Sequence, residues 1–302
     1  MSNFKSGFVT IIGKSNVGKS SLTNRIIGEK VSAVVNKKQT TRKNAKAILN
    51  RPNSQIVFID TPGIFESKTL LDKTMNKSAI SSIEDVDLIV YMIDATDKNI
   101  DQKTINIIKE SNKKTILAIN KIDLISKEKL AELIDTYNKL YDFTSIVPIS
   151  IKKDENIDEL LDEIERNLEE GPAYYDVEEY TDQTLRELSE EVIREKALKL
   201  LRDEVPHGIY VETTKMKSRK TKLNEKIFDI ESTIYCIRES HKGIIIGKNG
   251  SMLKKIGTYA REDLEKMLNS KVNLKLWVKV NKDWMNDSNI VKKFKANDKW
   301  FN

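Results

Sequence analysis

The stretch GFVTIIGKSNVGKSSL, residues 7–22, decides the fold. A β-branched, apolar run from Phe8 to Ile12 ends in a loop with glycines at 13 and 18. Lys19 and Ser20 then open a segment with Leu22 and Ile26 at helical spacing, closed by Gly28 as a helix C-cap. The loop fits the pattern G-x-x-x-x-G-K-[ST]. In that pattern backbone N–H groups wrap a β-phosphate and the lysine supplies charge to the β- and γ-phosphates. The hydroxyl ligates Mg²⁺, and the helix turns its positive end toward the phosphates. A phosphate site is therefore expected from Gly13, Lys14, Ser15, Asn16, Val17, Gly18, Lys19 and Ser20. A strand before the loop and a helix after it supply the context that a chance match lacks.

Outward from this loop, the first half of the chain alternates strands and helices. AKAILN (45–50), QIVFID (55–60), DLIVYMID (87–94), KTILAIN (114–120) and SIVPIS (145–150) read as further strands. The last four are nearly continuous apolar runs, as in a parallel sheet covered on both faces. Helical stretches are expected near 68–83, 101–111, 127–141 and 156–169. The alternation predicts a doubly wound α/β domain with a mostly parallel sheet.

The strand ends carry the next motifs. DTPG (Asp60, Thr61, Pro62, Gly63) closes the strand QIVFID, where a carboxylate meets a metal and a glycine amide meets a γ-phosphate. NKID (Asn120, Lys121, Ile122, Asp123) closes KTILAIN. An aspartate there accepts from the N1–H and the N2 amine of guanine, a donor pair that adenine lacks. SIK (Ser150, Ile151, Lys152) offers a backbone N–H to the base. The loop NKKQTTRKN (36–44) has the place of a γ-phosphate sensor. Thr41 is the expected Mg²⁺ ligand beside Ser20 and Asp60, with Thr40 as its rival. GTP with Mg²⁺ is thus the expected ligand, and Lys19, Thr41 and Gly63 the expected catalytic groups. An ATPase is the weaker alternative.

The second half differs. EEGPAYYDVEEYTDQ (169–183) has no clear period and reads as a linker. After it comes a long amphipathic helix, then two alternating strands. The helical stretch KGIIIGKNGSMLKKIGTYAREDLEKMLNSK (242–271) is broken by glycines, and the strand VNLKLWVKV (272–280) follows in strict period 2. The tetrapeptide IIGK of 11–14 recurs at 245–248, here without a following G-K-[ST]. The second copy holds G-x-x-G at Gly247–Gly250 between two helices, in an α-β-β-α-α-β pattern. From 191 to 302 there are 25 Lys and Arg against 15 Asp and Glu; residues 1–190 carry 27 against 31. That surplus points to an anionic partner, nucleic acid or membrane.

The bulk composition excludes other classes. No run approaches the roughly 18 apolar residues of a membrane span. The apolar start at Phe8 reads as a first strand and not as a secretion signal. One cysteine and two histidines do not make a structural zinc site, and the chain suits a reducing cytoplasm.

The ordered set of motifs resembles the Ras-like GTPases, and Q-T-T-R, D-T-P-G and N-K-I-D resemble the Era branch among them. DEVPHGIYVE…ESHKGIIIGKNG is similar to the Era carboxy-terminal domain, a type II KH domain. The resemblance implies a P-loop GTPase domain at 1–172, a linker at 173–185, an α+β KH domain at 186–281 and a tail at 282–302. It implies RNA contacts at Ile246, Gly247, Lys248, Asn249, Gly250, Lys254 and Lys255, with Ile245 and Leu253 as further candidates for the groove; core packing is the expected role of at least two among Ile245, Ile246 and Leu253. It also implies binding to the 3′ region of small-subunit (16S) rRNA and assistance to small-subunit (30S) assembly. A monomer with peripheral association at the cytoplasmic face of the membrane is expected. The rival is a GTPase whose basic domain serves membrane or protein without RNA; a second rival only binds nucleotide. Ile64 follows Gly63 where many GTPases carry a water-orienting glutamine, so slow turnover is expected. Asn16 resembles the asparagine that holds K⁺ in potassium-stimulated relatives; a tolerant loop position is the other reading. Ile151 departs from the alanine usual in the base loop.

Overall fold

A computed structural model describes residues 4–29, 31, 45–60, 67–202, 205–221 and 224–294. The chain divides into two compact units, one ending at Asp182 and one spanning Gln183–Lys292.

The first unit is a six-stranded sheet in the order β2-β3-β1-β4-β5-β6. Its strands are β1 (Lys5–Ile12), β2 (Ala45–Arg51), β3 (Ser54–Asp60), β4 (Leu88–Asp94), β5 (Lys114–Asn120) and β6 (Ser145–Pro148). Only the β2–β3 pair is antiparallel. The helices are α1 (Lys19–Ile27), α2 (Leu70–Glu84), α3 (Gln102–Ser111), α4 (Lys127–Leu140) and α5 (Ile157–Asn167). Alternate strand residues feed two separate cores. Val9, Ile11, Ile56, Phe58, Val90 and Met92 pack with Leu22 of α1 and with Leu160 and Ile164 of α5. Phe8, Val57, Ile89 and Tyr91 pack with Ile83 of α2, Ile105 and Ile108 of α3 and Tyr137 of α4. A strand buried on both faces has no polar side to show, which is why these strands read as unbroken apolar runs.

The second unit has the order α6 (Leu185–Leu200), β7 (Tyr210–Lys220), β8 (Lys226–Cys236), α7 (Glu239–Ile246), α8 (Ser251–Met267) and β9 (Lys271–Val280). β8 is central, antiparallel to β7 and parallel to β9. One core joins Val192, Ile193 and Ala197 of α6 with Ile230 and Ile234 of β8, Ile245 of α7 and Ile256, Ala260 and Leu264 of α8. A Thr184/Glu187 capping box starts α6.

Two places differ from the expected organisation. Residues 173–182, expected within the linker, lie along the first unit through side-chain bonds from Gln55 and the edge of β2. Irregular segments held this way carry no period to read. At the other end, the second unit runs past 281. Trp284 is fully buried, donates from Nε1 to the Gly208 carbonyl at 3.1 Å, and packs on Tyr210, which stacks on Tyr235. The Trp284→Ala substitution is expected to destabilise the second unit by about 3–5 kcal/mol. Urea unfolding followed by hydrogen exchange of β7 measures it.

Candidate functional site

The phosphate loop is built by close backbone approach. A Cβ at Gly13 (φ +147°) would stand 2.2 Å from the Met92 carbonyl oxygen, so the turn out of β1 admits only glycine. Asn16 (φ 68°) continues the loop and is exposed. Gly18, left-handed, starts α1, which carries no side-chain cap. The first amides of α1 are therefore the donors that a phosphate would meet.

Inside this loop lies Lys19. It is buried, and its Nζ donates to the Gly13 and Lys14 carbonyls, each at 2.8 Å. Burial pulls its pKa down to about 8, against the opposing pull of Asp60 and Asp101. Lys14 turns elsewhere: Nζ donates to Asp97 Oδ2 and the Asn99 carbonyl, each at 2.7 Å. That hydrogen bond holds the Asp97 carboxyl below its ordinary value. Val17 is buried in the core, and Ser15 and Ser20 are half-buried. Asp60, fully buried, ends β3 in a sheet position two strands from β4. Asp60 and Ser20 are hard oxygen donors beside a buried ammonium, a set suited to Mg²⁺ bound with phosphate. Thr61, Pro62, Gly63, Ile64 and the segment with Thr40 and Thr41 lie outside the described residues.

The base loop is tied to the phosphate loop by Asn120. Its Nδ2 donates to the Val17 carbonyl at 2.7 Å, and its Oδ1 accepts from the Ile151 N–H at 3.3 Å. The Ile151 amide, expected to face the base, is thus directed to Asn120, and its side chain packs on the core. Lys121 adopts a left-handed φ of 66° and donates to Asp94 at 2.5 Å. Burial pushes Asp94 up, but the bonds from Lys121 and Thr96 outweigh it and hold the carboxyl below its usual range. Ile122 and Asp123 form a short 3₁₀ turn. Ser150 donates its hydroxyl to Asp123 Oδ1 at 2.7 Å and accepts from the Lys153 N–H, which holds the Asp123 carboxylate in place. Lys152 is exposed beside it. Sequence reasoning missed Asp94, whose pairing with Lys121 joins two strand ends and leaves no local signal.

In the second unit, G-x-x-G forms a tight turn between α7 and α8. Gly247, Asn249 and Gly250 have positive φ, of 72°, 52° and 76°. Lys248 and Asn249 are exposed on it, and Lys254 and Lys255 follow, also exposed, on α8. Beside the turn a groove of about 400 Å³ runs between α8 and β9. Leu253, Gly257, Leu274 and Leu276 line it, with Lys254 and Arg261 among its polar lining residues. Leu253 is in the groove as expected. Ile245 is fully buried in the core, the role expected for at least two of these three residues, and Ile246 is half-buried at the end of α7. Gly257 and Arg261 were missed. Their signal was a glycine inside a helix, where a Cβ would meet Leu276 at 3.4 Å and narrow the groove.

A glycine loop closed around a buried lysine at a helix start, a strand-end aspartate held by a serine and a G-x-x-G turn beside an apolar groove are the marks of a P-loop GTPase domain followed by a KH domain. Residues 8–121 match the family described as 50S ribosome-binding GTPase, and residues 204–285 match the KH domain. GTPase Era of Clostridium kluyveri is 48% identical over 290 residues, covering 95% of this chain and 98% of its own. GTPase Era of Clostridioides difficile strain 630 is 47% identical over 299 residues, covering 98% and 100%. Among solved structures, a crystal structure of Era with MgGDPNP and nucleotides 1506–1542 of 16S ribosomal RNA superposes with a TM-score of 0.91, at 42% identity over 96% of this chain and 98% of that one. A variant of Aquifex aeolicus Era bound to GDP and AlF₄⁻ gives the same score and identity, over 96% and 99%. This chain belongs to the Era family and is a GTPase.

Two expectations follow. A phosphate beside Lys19 raises its pKa from about 8. The bound state then holds the proton that the free state is losing, so affinity falls as pH rises above that value. Calorimetric titration with GDP in buffers of different ionisation enthalpy should show proton uptake growing between about pH 7 and about pH 8.5. Asp123→Asn should shift preference from guanine to xanthine nucleotides by about 100-fold, about 3 kcal/mol, in competition binding.

Proposed function

We propose that this GTPase couples its nucleotide state to binding of the single-stranded 3′ region of small-subunit (16S) rRNA and thereby assists small-subunit (30S) assembly. The observation that carries this is the similarity, along nearly the whole chain, to an Era structure holding both MgGDPNP and 16S rRNA nucleotides. The 50S description belongs to the family matched by the GTPase half alone, so the small subunit is the favoured partner. The groove supports the reading chemically: an apolar lining receives unpaired bases, while the positive-φ turn admits a close backbone and Lys248 meets phosphate.

In this reading Ser20, Asp60 and Thr41 hold Mg²⁺, which bridges the phosphates and neutralises their charge. Lys19 and the Gly63 amide stabilise charge on the γ-phosphate. GTP orders 39–42 and 60–64, and hydrolysis releases them. Ile64 supplies no hydrogen bond to water, which supports slow intrinsic turnover. Exposed Asn16 is a fitting K⁺ ligand on the loop. The wider lysine surplus supports a cytoplasmic protein that also associates peripherally with the membrane; no described helix is long and apolar enough to cross one.

Binding of a labelled RNA spanning 16S nucleotides 1506–1542 tests the main reading. Affinity should differ among GTP analogue, GDP and no nucleotide; equal affinities refute the coupling. Lys248→Ala with Lys254→Ala should weaken binding about tenfold and lower the salt slope by about 1.4. For the ion, turnover in KCl should exceed that in NaCl at matched ionic strength, and equal rates discard K⁺.

A further inference from the structure

The chain between α5 and α6 has no regular structure, yet it is bonded in two stretches of different character. The first is pinned to the middle of the sheet. The Gly171 N–H donates to the Phe4 carbonyl at 3.0 Å, and the Ser6 hydroxyl to the Pro172 carbonyl at 2.7 Å. Gln55, fully buried on β3, uses its whole carboxamide. Oε1 accepts from the Tyr174 and Tyr175 N–H groups at 2.7 and 3.0 Å. Nε2 donates to the Tyr175 carbonyl at 2.8 Å and to Asn50 at 2.7 Å.

The second stretch rides the outer edge of β2, the last strand of the sheet. The Ile48 N–H donates to the Tyr180 carbonyl at 2.9 Å, and Asn50 Nδ2 to the Val177 carbonyl at 2.9 Å. Several further bonds converge on Lys46. Its N–H donates to Asp182 Oδ1 at 3.2 Å, and its carbonyl accepts from the Thr181 hydroxyl at 2.8 Å. Its Nζ donates to the Tyr175 hydroxyl at 2.7 Å, approaches Asp182 at 3.8 Å, and lies over the Tyr175 ring at 5.4 Å. Held on one strand by half-buried and exposed bonds, this stretch belongs to the part of a fold that opens most easily.

Position gives the contrast a use. β2 opens at Ala45, just after the segment 39–42, and only Gln183 and Thr184 separate Asp182 from α6. We propose that residues 176–182 form a releasable strap that lies on the β2 edge with GDP and leaves it with GTP, with Lys46 as the point that senses the change. This rests on the reading of 39–42 as the γ-phosphate sensor. A γ-phosphate contact made by that segment would be felt at Ala45 and Lys46, where β2 begins and several of the strap's bonds meet. Tyr174 and Tyr175, fixed by Gln55, stay in place in both states.

Amide hydrogen exchange on the full chain tests it, with saturating GDP or non-hydrolysable GTP analogue and Mg²⁺. The Ile48 and Lys46 amides should exchange about tenfold faster with the analogue, while those of Tyr174 and Tyr175 exchange equally slowly in both. Lys46→Met should bring the GDP rate up to the analogue rate; Thr181→Val serves where that variant does not fold. Equal Ile48 rates in the two wild-type states overturn the proposal, as does a difference that survives in the variants. RNA affinity measured on the same samples separates the two readings. State-dependent RNA affinity with an unchanged strap sinks the strap alone. A strap that lifts while RNA affinity stays constant supports the strap and sinks the coupling to RNA.

Discussion

The carboxamide of Asn120 sets the distance between the two halves of the nucleotide site. It sits buried at the end of β5, with one end on the Val17 carbonyl and the other on the Ile151 amide. Two loops, far apart in the chain, are thereby fixed to one strand end. The approach is so close that a Cβ at Gly18 would stand 2.5 Å from Nδ2. A buried amide satisfied at both ends is cheap to keep, but losing one partner leaves a group that water cannot reach. The spacing between the start of α1 and the loop that holds Ser150 and Asp123 is thus tied to the sheet through this amide.

Charge is arranged around that frame so that a ligand completes it. Lys19 is closed in by its own loop carbonyls, and burial makes its ammonium reluctant to stay charged. Phosphate oxygens would relieve that cost, because they offer the same ammonium full negative charge in place of carbonyl dipoles. Lys121 and Lys14 are not spent in the same way. Each is bridged to an aspartate at or just past the end of β4, Asp94 and Asp97, which stiffens the rim of the loops.

In the proposed RNA-binding reading, the second unit solves a different problem with a similar device. A polymer backbone needs an open turn, and its bases need an apolar surface that stays exposed without collapsing. Gly247–Gly250 gives the turn, while the half-exposed Leu274 and Leu276 of β9 give the surface. Trp284 packs on the stacked Tyr210 and Tyr235, which join β7 to β8 of that sheet.

Much of this was legible before folding, because phosphate loops, strand-end aspartates and two-residue periodicity are local. GKSNVGKS, NKID and VNLKLWVKV each fix a backbone shape through residues adjacent in the chain, and from their order the α/β class, the guanine preference and the α-β-β-α-α-β pattern follow. Tertiary structure alone decided that Ile245 belongs to the core and Leu253 to the groove, although both flank the same turn. It also decided that Asp94 holds Lys121, that Trp284 belongs to the second unit, and that 173–182 is bonded along β2 and β3. Each of these is a contact between residues distant in sequence, made by side-chain reach and by which strand lies at the edge of the sheet. No period or spacing encodes such contacts, because they exist only once the sheet order is set.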